Sequence, residues 1–296
     1  MLNHLTTENR NEKTMNLDNM STEEFLTIMN EEDAKVAYLI EEKIPQIIEA
    51  VNKIVASFKS GGRLIYIGAG TSGRLGLLDA VECPPTFGSD PNEVIGMIAG
   101  GKDAFIQAVE GAEDREDLGE KDLQSIDLNR IDIVVGIAAS GRTPYVKGGL
   151  KYANYVGAET VAVSNNVGSA IGKIARTQIE VDCGPEVLSG STRLKAGTAQ
   201  KMILNMLSTA SMVGIGKTYQ NLLVDLQPTN KKLVERAKRI VMEATSCEFS
   251  TAEKYLEKTN HEPKVAIVML LAGLSYNEAV QRLQETEGFI HKAKER

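Results

Sequence analysis

Five short, nearly uninterrupted apolar runs, at residues 64–67, 94–98, 133–137, 160–163 and 179–181, punctuate the first two-thirds of the sequence. Runs of this length without polar alternation are strands buried on both faces. Between them, residues 72–81, 103–110, 145–155 and 169–175 carry helical periodicity. Strand alternating with helix predicts a five-stranded parallel sheet with right-handed crossovers and helices on both faces, an α/β three-layer fold. A capping-box pattern, Ser21-Thr22-Glu23-Glu24, opens a helical N-terminal segment, with Pro45 starting or kinking a second helix. Residues 194–213, rich in Ala, Met and Leu, predict a long buried helix. The character changes near residue 225, around Pro228, and short helical patterns at 231–245, 250–257, 263–271 and 275–284 follow. The expected organisation is therefore N-terminal helices over 1–56, a ligand-binding α/β domain over 57–225 and a small helical domain over 226–296.

A formal charge of −7 excludes a nucleic-acid binder of the usual kind, because a phosphate backbone calls for a basic surface. No apolar run approaches the roughly 20 residues that span a bilayer, and the polar start lacks a secretory core, so a cytoplasmic protein with no membrane partner is expected. Cys83, Cys183 and Cys247 are widely separated, and His4, His261 and His291 are the only histidines. That inventory suits neither a disulfide framework nor a zinc site, and no metal or other cofactor is expected.

The chemistry concentrates in three turns. The first strand runs into Gly68-Ala69-Gly70-Thr71-Ser72-Gly73-Arg74, and the third into Ala138-Ala139-Ser140-Gly141-Arg142-Thr143-Pro144. A third hydroxyl-rich turn, Ser189-Gly190-Ser191-Thr192-Arg193-Leu194-Lys195, opens the long helix. Gly68, Gly70 and Gly73 fit the dinucleotide glycine pattern, but the second strand ends in Ala99-Gly100-Gly101, without the carboxylate that would hold a nicotinamide ribose. Hydroxyls and backbone amides at helix starts instead suit a compact anion such as a phosphate monoester. Any one of these turns is equally an ordinary N-cap. Three opening on one crevice point to a ligand. The candidate phosphate contacts are Thr71, Ser72, Ser140, Thr143 and Ser191, with Lys195 beside them.

These loops resemble the SIS (sugar isomerase) fold. Asp79-Ala80-Val81-Glu82-Cys83-Pro84-Pro85-Thr86, Val109-Glu110-Gly111-Ala112-Glu113-Asp114 and Gly190-Ser191-Thr192-Arg193-Leu194-Lys195-Ala196-Gly197-Thr198-Ala199-Gln200-Lys201 resemble the N-acetylmuramic acid 6-phosphate etherase family, and the likeness runs from Leu5-Thr6-Thr7-Glu8 to the C-terminal helices. The resemblance implies a small-molecule phosphosugar substrate, cleavage of its D-lactyl ether by elimination and water addition, and a homodimer. It assigns Glu82 as acid and Glu113 as base. Val81, Cys83 and two helix-stopping prolines are expected to desolvate Glu82, which favours the protonated form an acid needs. Glu113 stands in a charge-rich stretch with Glu110, Asp114, Glu116 and Asp117, a composition that also fits a solvated face. The C-terminal segment resembles a small ubiquitin-associated-like bundle. A phosphosugar isomerase and a non-catalytic phosphosugar sensor are the alternatives.

Overall fold

The computed structural model describes residues 5–107, 109–226 and 231–295; His4, Ala108 and Pro228 lie outside them. Two units divide the chain, one of Met1–Val81 with Asn92–Ser208 and one of Glu82–Pro91 with Thr209–Arg296.

In the first unit, α1 (Thr22–Glu41) starts on the Ser21/Glu24 capping box, each side chain bonding the other's backbone amide. Helix α2 (Ile44–Lys59) carries Pro45 in its first turn, where the missing N–H costs nothing. Strand β1 (Leu64–Gly68) follows, and then α3 (Gly70–Phe87), β2 (Val94–Ile98), α4 (Glu116–Ser125), β3 (Ile133–Ala138), α5 (Pro144–Val156), β4 (Glu159–Ser164), β5 (Thr177–Glu180) and α6 (Lys195–Gly214). The five strands are parallel in the order β2-β1-β3-β4-β5. Every residue of β1 and β3 is buried, as continuous apolar runs require. Ile65, Ile67, Val134, Tyr145 and Leu150 belong to one core cluster. Successive connections leave β1 toward β2 on one side and reach β3 on the other. The carboxyl ends of β1 and β3 thus flank the switch point, where ligands of open parallel sheets bind.

Several expectations need correction. Among the described residues of 103–110 there is no α-helix; a 3₁₀ turn, Lys102–Phe105, stands there, with Phe105 and Ile106 exposed. An amphipathic pattern without a surface to cover has nothing to stabilise it. Residues 169–175 form turns in place of a regular helix: Ser169 Oγ accepts from Gly172 N, and Lys173 N donates to the Ser169 carbonyl and Ala175 N to the Ile171 carbonyl, while Glu180 accepts from the Gly168 and Ser169 amides. Helix α3 runs through Pro84 and Pro85, and ends where Gly88, with φ +61°, donates to the Pro84 carbonyl at 2.9 Å. The charged stretch after Glu113 is itself a helix, α4. It packs on α5 through Gly148, where a side chain would strike the Glu116 carbonyl. Nor is α6 buried all round: Thr198, Lys201 and Asn205 form an exposed stripe.

The second unit contains a minimal antiparallel pair, β6 (Thr218–Tyr219) and β7 (Leu222–Leu223), and helices α7 (Lys231–Thr245), α8 (Phe249–Lys258), α9 (Pro263–Ala272), α10 (Tyr276–Glu285) and α11 (Ile290–Ala293). Its core gathers Val241, Leu256, Ala266, Ile267, Val268 and Ile290. Helix α9, apolar throughout apart from Lys264, supplies several of this cluster's residues, consistent with its lack of a polar face.

Candidate functional site

Gly73 sets the first loop. A side chain there would lie 2.7 Å from the Gly68 carbonyl and 2.7 Å from Ile98 Cγ1, so only glycine lets α3 start this close to the sheet. Gly70, with φ +54°, makes the turn out of β1. The first-turn amides of α3 thereby stand at the carboxyl edge of β1. In the second loop, Gly141 donates to the Ala138 carbonyl at 2.9 Å and Arg142 N to Ser140 Oγ at 3.3 Å. Thr143 occupies the N-cap of α5 but makes no capping bond with its side chain. Its hydroxyl retains hydrogen-bonding capacity for an anion.

Glu113 is tied to that loop. Its carbonyl accepts from Tyr145 N, in the first turn of α5, at 3.0 Å. Its side chain is exposed and, with Ala69, Gly70, Arg74, Ala99 and Glu110, lines a cavity of about 270 Å³. Arg74 closes one wall: its guanidinium donates to the carbonyls of Phe105 at 2.9 Å and Ala104 at 2.8 Å, fixing the segment after β2 against α3. The glycine loop and the candidate base therefore share one cavity. Larger cavities, of about 480 and 580 Å³, belong to the second unit, and neither is lined by a candidate site residue.

The third loop differs. Ser191 is half-buried, and Thr71 lies beside this turn, its Cγ2 3.5 Å from where a side chain at Gly197 would begin. The first amides of α6, however, are already satisfied: Glu186 accepts from Lys195 N at 3.2 Å and Ala196 N at 3.0 Å. Burial pushes the Glu186 carboxyl up, against those amides and the Lys195 charge. The Lys195 ammonium, 3% exposed, is bound to Glu32 at 2.6 Å. Burial opposes the ionisation of Glu32, but its bonds to Lys195 and Lys35 prevail and lower it to about 2. Lys195 is thus engaged in an internal ion pair, a partner 163 residues away that no local pattern could reveal.

Glu82 lies in the last turns of α3, within the second unit, and is exposed, not desolvated as expected; the neighbouring Cys83 is buried. Sequence reasoning also passed over Glu110, which lines the cavity with Glu113, and Gln200, whose amide accepts from Ser72 Oγ at 2.9 Å. Among the described residues no group of three or more His, Cys, Asp or Glu side chains is placed to hold a metal ion.

Residues 46–154 match the family model of the glucokinase regulatory protein N-terminal SIS domain. The chain is 60% identical over 293 residues to the N-acetylmuramic acid 6-phosphate etherase of Bacillus cytotoxicus, covering 99% of this chain and 100% of that one. It is 61% identical over the same lengths to the enzyme of that name from Bacillus cereus. Among solved structures, a phosphoheptose isomerase from Neisseria gonorrhoeae superposes with a TM-score of 0.50 at 14% identity, over 64% of this chain and 98% of that one. At that identity the likeness is one of fold, and the fold is SIS.

Proposed function

Since this chain belongs to the N-acetylmuramic acid 6-phosphate etherase family, we propose that it is a carbon–oxygen lyase cleaving the D-lactyl ether of N-acetylmuramic acid 6-phosphate to N-acetylglucosamine 6-phosphate and D-lactate. The observation that carries the reading is identity at this level across the whole length of the relatives. The likeness to an isomerase lends no weight to isomerisation, because it extends to fold alone.

An unactivated ether resists direct hydrolysis. Opening the sugar ring places an aldehyde at C1, which acidifies the C2 proton and makes the C3 ether oxygen a β-leaving group. In the reading offered here, Glu113 takes the C2 proton and Glu82, as general acid, protonates the departing lactyl oxygen. The resulting unsaturated aldehyde then adds water at C3 and regains a proton at C2, with the two carboxyls in reversed roles. Support for Glu113 comes from its place in the cavity lined by Gly70 and Arg74. The phosphate grip falls to the first-turn amides of α3 with Thr71, Ser140 and Thr143, and Ser191 beside them. Lys195 is left out because its ammonium is bound to Glu32. Binding energy from the phosphate, remote from the bond that breaks, holds the open sugar in a reactive orientation. A homodimer belongs to the same reading, and exposed Phe105, Ile106 and Val109 offer apolar surface for it. No helix among the described residues is long and apolar enough to cross a membrane.

The test is D-lactate release from N-acetylmuramic acid 6-phosphate, paired with exchange of the product's C2 proton in deuterated water. Glu113→Gln should lose both, by about 10²–10⁴-fold. Glu82→Gln should lose lactate release and keep exchange. Undiminished exchange in Glu113→Gln reassigns the base, and a wild-type protein that releases no lactate defeats the reading.

A further inference from the structure

Ser72 stands in the first turn of α3 and is 7% exposed. Its hydroxyl donates to Gln200 Oε1 at 2.9 Å, and Gln200 Nε2 donates to Asn165 Oδ1 at 3.0 Å. Asn165 Nδ2 in turn donates to the Val181 carbonyl at 3.3 Å and faces Cys183 Sγ at 3.5 Å. Gln200 and Asn165 are each 1% exposed. The Asn165 backbone amide binds the Ala139 carbonyl at 3.0 Å, so this relay joins the first loop to the second.

Its polarity is set at the far end. A main-chain carbonyl only accepts, so Asn165 must present its amino group to Val181 and its oxygen to Gln200. Gln200 must then present its amino group to Asn165 and its oxygen to Ser72. Turning either amide around would bring donor to donor or acceptor to acceptor where water cannot relieve the mismatch. A serine hydroxyl has one proton, and here it points inward. What remains on the Ser72 oxygen is lone pairs.

We propose that Gln200 is a positioning residue which, through this one-way relay, holds the Ser72 oxygen as a hydrogen-bond acceptor, so that Ser72 meets a hydroxyl of the bound sugar and not an oxygen of its phosphate. The inference rests on the phosphosugar reading above and divides the loop hydroxyls that the sequence grouped together. A phosphate monoester above its second pKa, near 6, carries no proton to donate, whereas every sugar hydroxyl does.

Calorimetric titration of the full-length protein at pH 8 with N-acetylglucosamine 6-phosphate and with methyl phosphate, a monoester dianion that carries neither a proton nor a sugar hydroxyl, separates the two roles. Ser72→Ala should weaken the phosphosugar about tenfold, the worth of one hydrogen bond, and leave methyl phosphate within about twofold. Gln200→Leu releases the Ser72 proton and should lower the preference for phosphosugar over methyl phosphate by a similar factor. Parallel losses for both ligands in Ser72→Ala, or no loss for either, overturn the inference, and this pair decides the matter even if Gln200→Leu does not fold. Wild-type protein that binds methyl phosphate but not the phosphosugar defeats the functional reading instead.

Discussion

At the amino ends of β1 and β3, Asp132 is wholly buried and both its oxygens are doubly engaged. One accepts from Arg63 N at 2.9 Å and Nε at 3.1 Å, the other from Arg63 Nη2 at 2.7 Å and Asn129 N at 3.0 Å. At the carboxyl ends of the same strands, Thr143 caps nothing and the turn out of β1 depends on a glycine in left-handed conformation. One end satisfies its polar groups internally. The other leaves the Thr143 hydroxyl without a capping bond. On the proposed function, the difference separates what holds the sheet together from what it does, and it can be probed from both ends.

The largest effect is expected at the closed end. Asp132→Ala strands a half-buried guanidinium and two amides, and should cost about 3–5 kcal/mol in urea unfolding. Activity per folded molecule should be unchanged; a comparable loss of kcat would dissolve the division between the two ends.

Asp79 lies on α3, between them. Its carboxylate accepts from Tyr66 Oη at 2.9 Å and Ser208 Oγ at 3.0 Å, and burial pushes it up to about 6 in spite of those bonds and the Lys201 charge. An unfolded aspartate titrates near 3.9. Between these values the folded chain binds the extra proton, so Asp79 contributes stability below about pH 4 that is lost as the pH rises through 6, about 3 kcal/mol in all. An amide at this position still accepts from Tyr66 and donates to Ser208. Asp79→Asn should therefore gain stability relative to wild type as the pH goes from 4 to 7, measured by denaturant melts across that window. A constant difference would mean that Asp79 titrates normally.

The smallest effect on stability belongs to the open end. Losing a working N-cap costs about 1 kcal/mol. Thr143 has no such bond to lose, so Thr143→Ala should leave the melting midpoint essentially unmoved while weakening phosphosugar binding several-fold. A drop in stability without a change in affinity would make Thr143 an ordinary cap.

The strands were legible because residues such as Ile65, Val134 and Val161 have nowhere to go but the interior. The glycine loop was legible because close approach of α3 to β1 demands a residue without a side chain at 73. Helix α4 was not, since it buries little besides Gly119 and Leu123 and is held by pairs such as Glu116 with Lys147 and Lys151, each at 2.6 Å. Glu186 escaped notice because a carboxylate that caps a helix from nine residues upstream leaves no local pattern. Gln200 escaped for the same reason: its partner on α3 is 128 residues away.

The bond from the Tyr145 amide to the Glu113 carbonyl has a mechanical corollary. It splices the segment bearing Glu113 onto the first turn of α5, beside Thr143. On the proposed function, a shift of that turn on ligand binding would carry the Glu113 main chain with it.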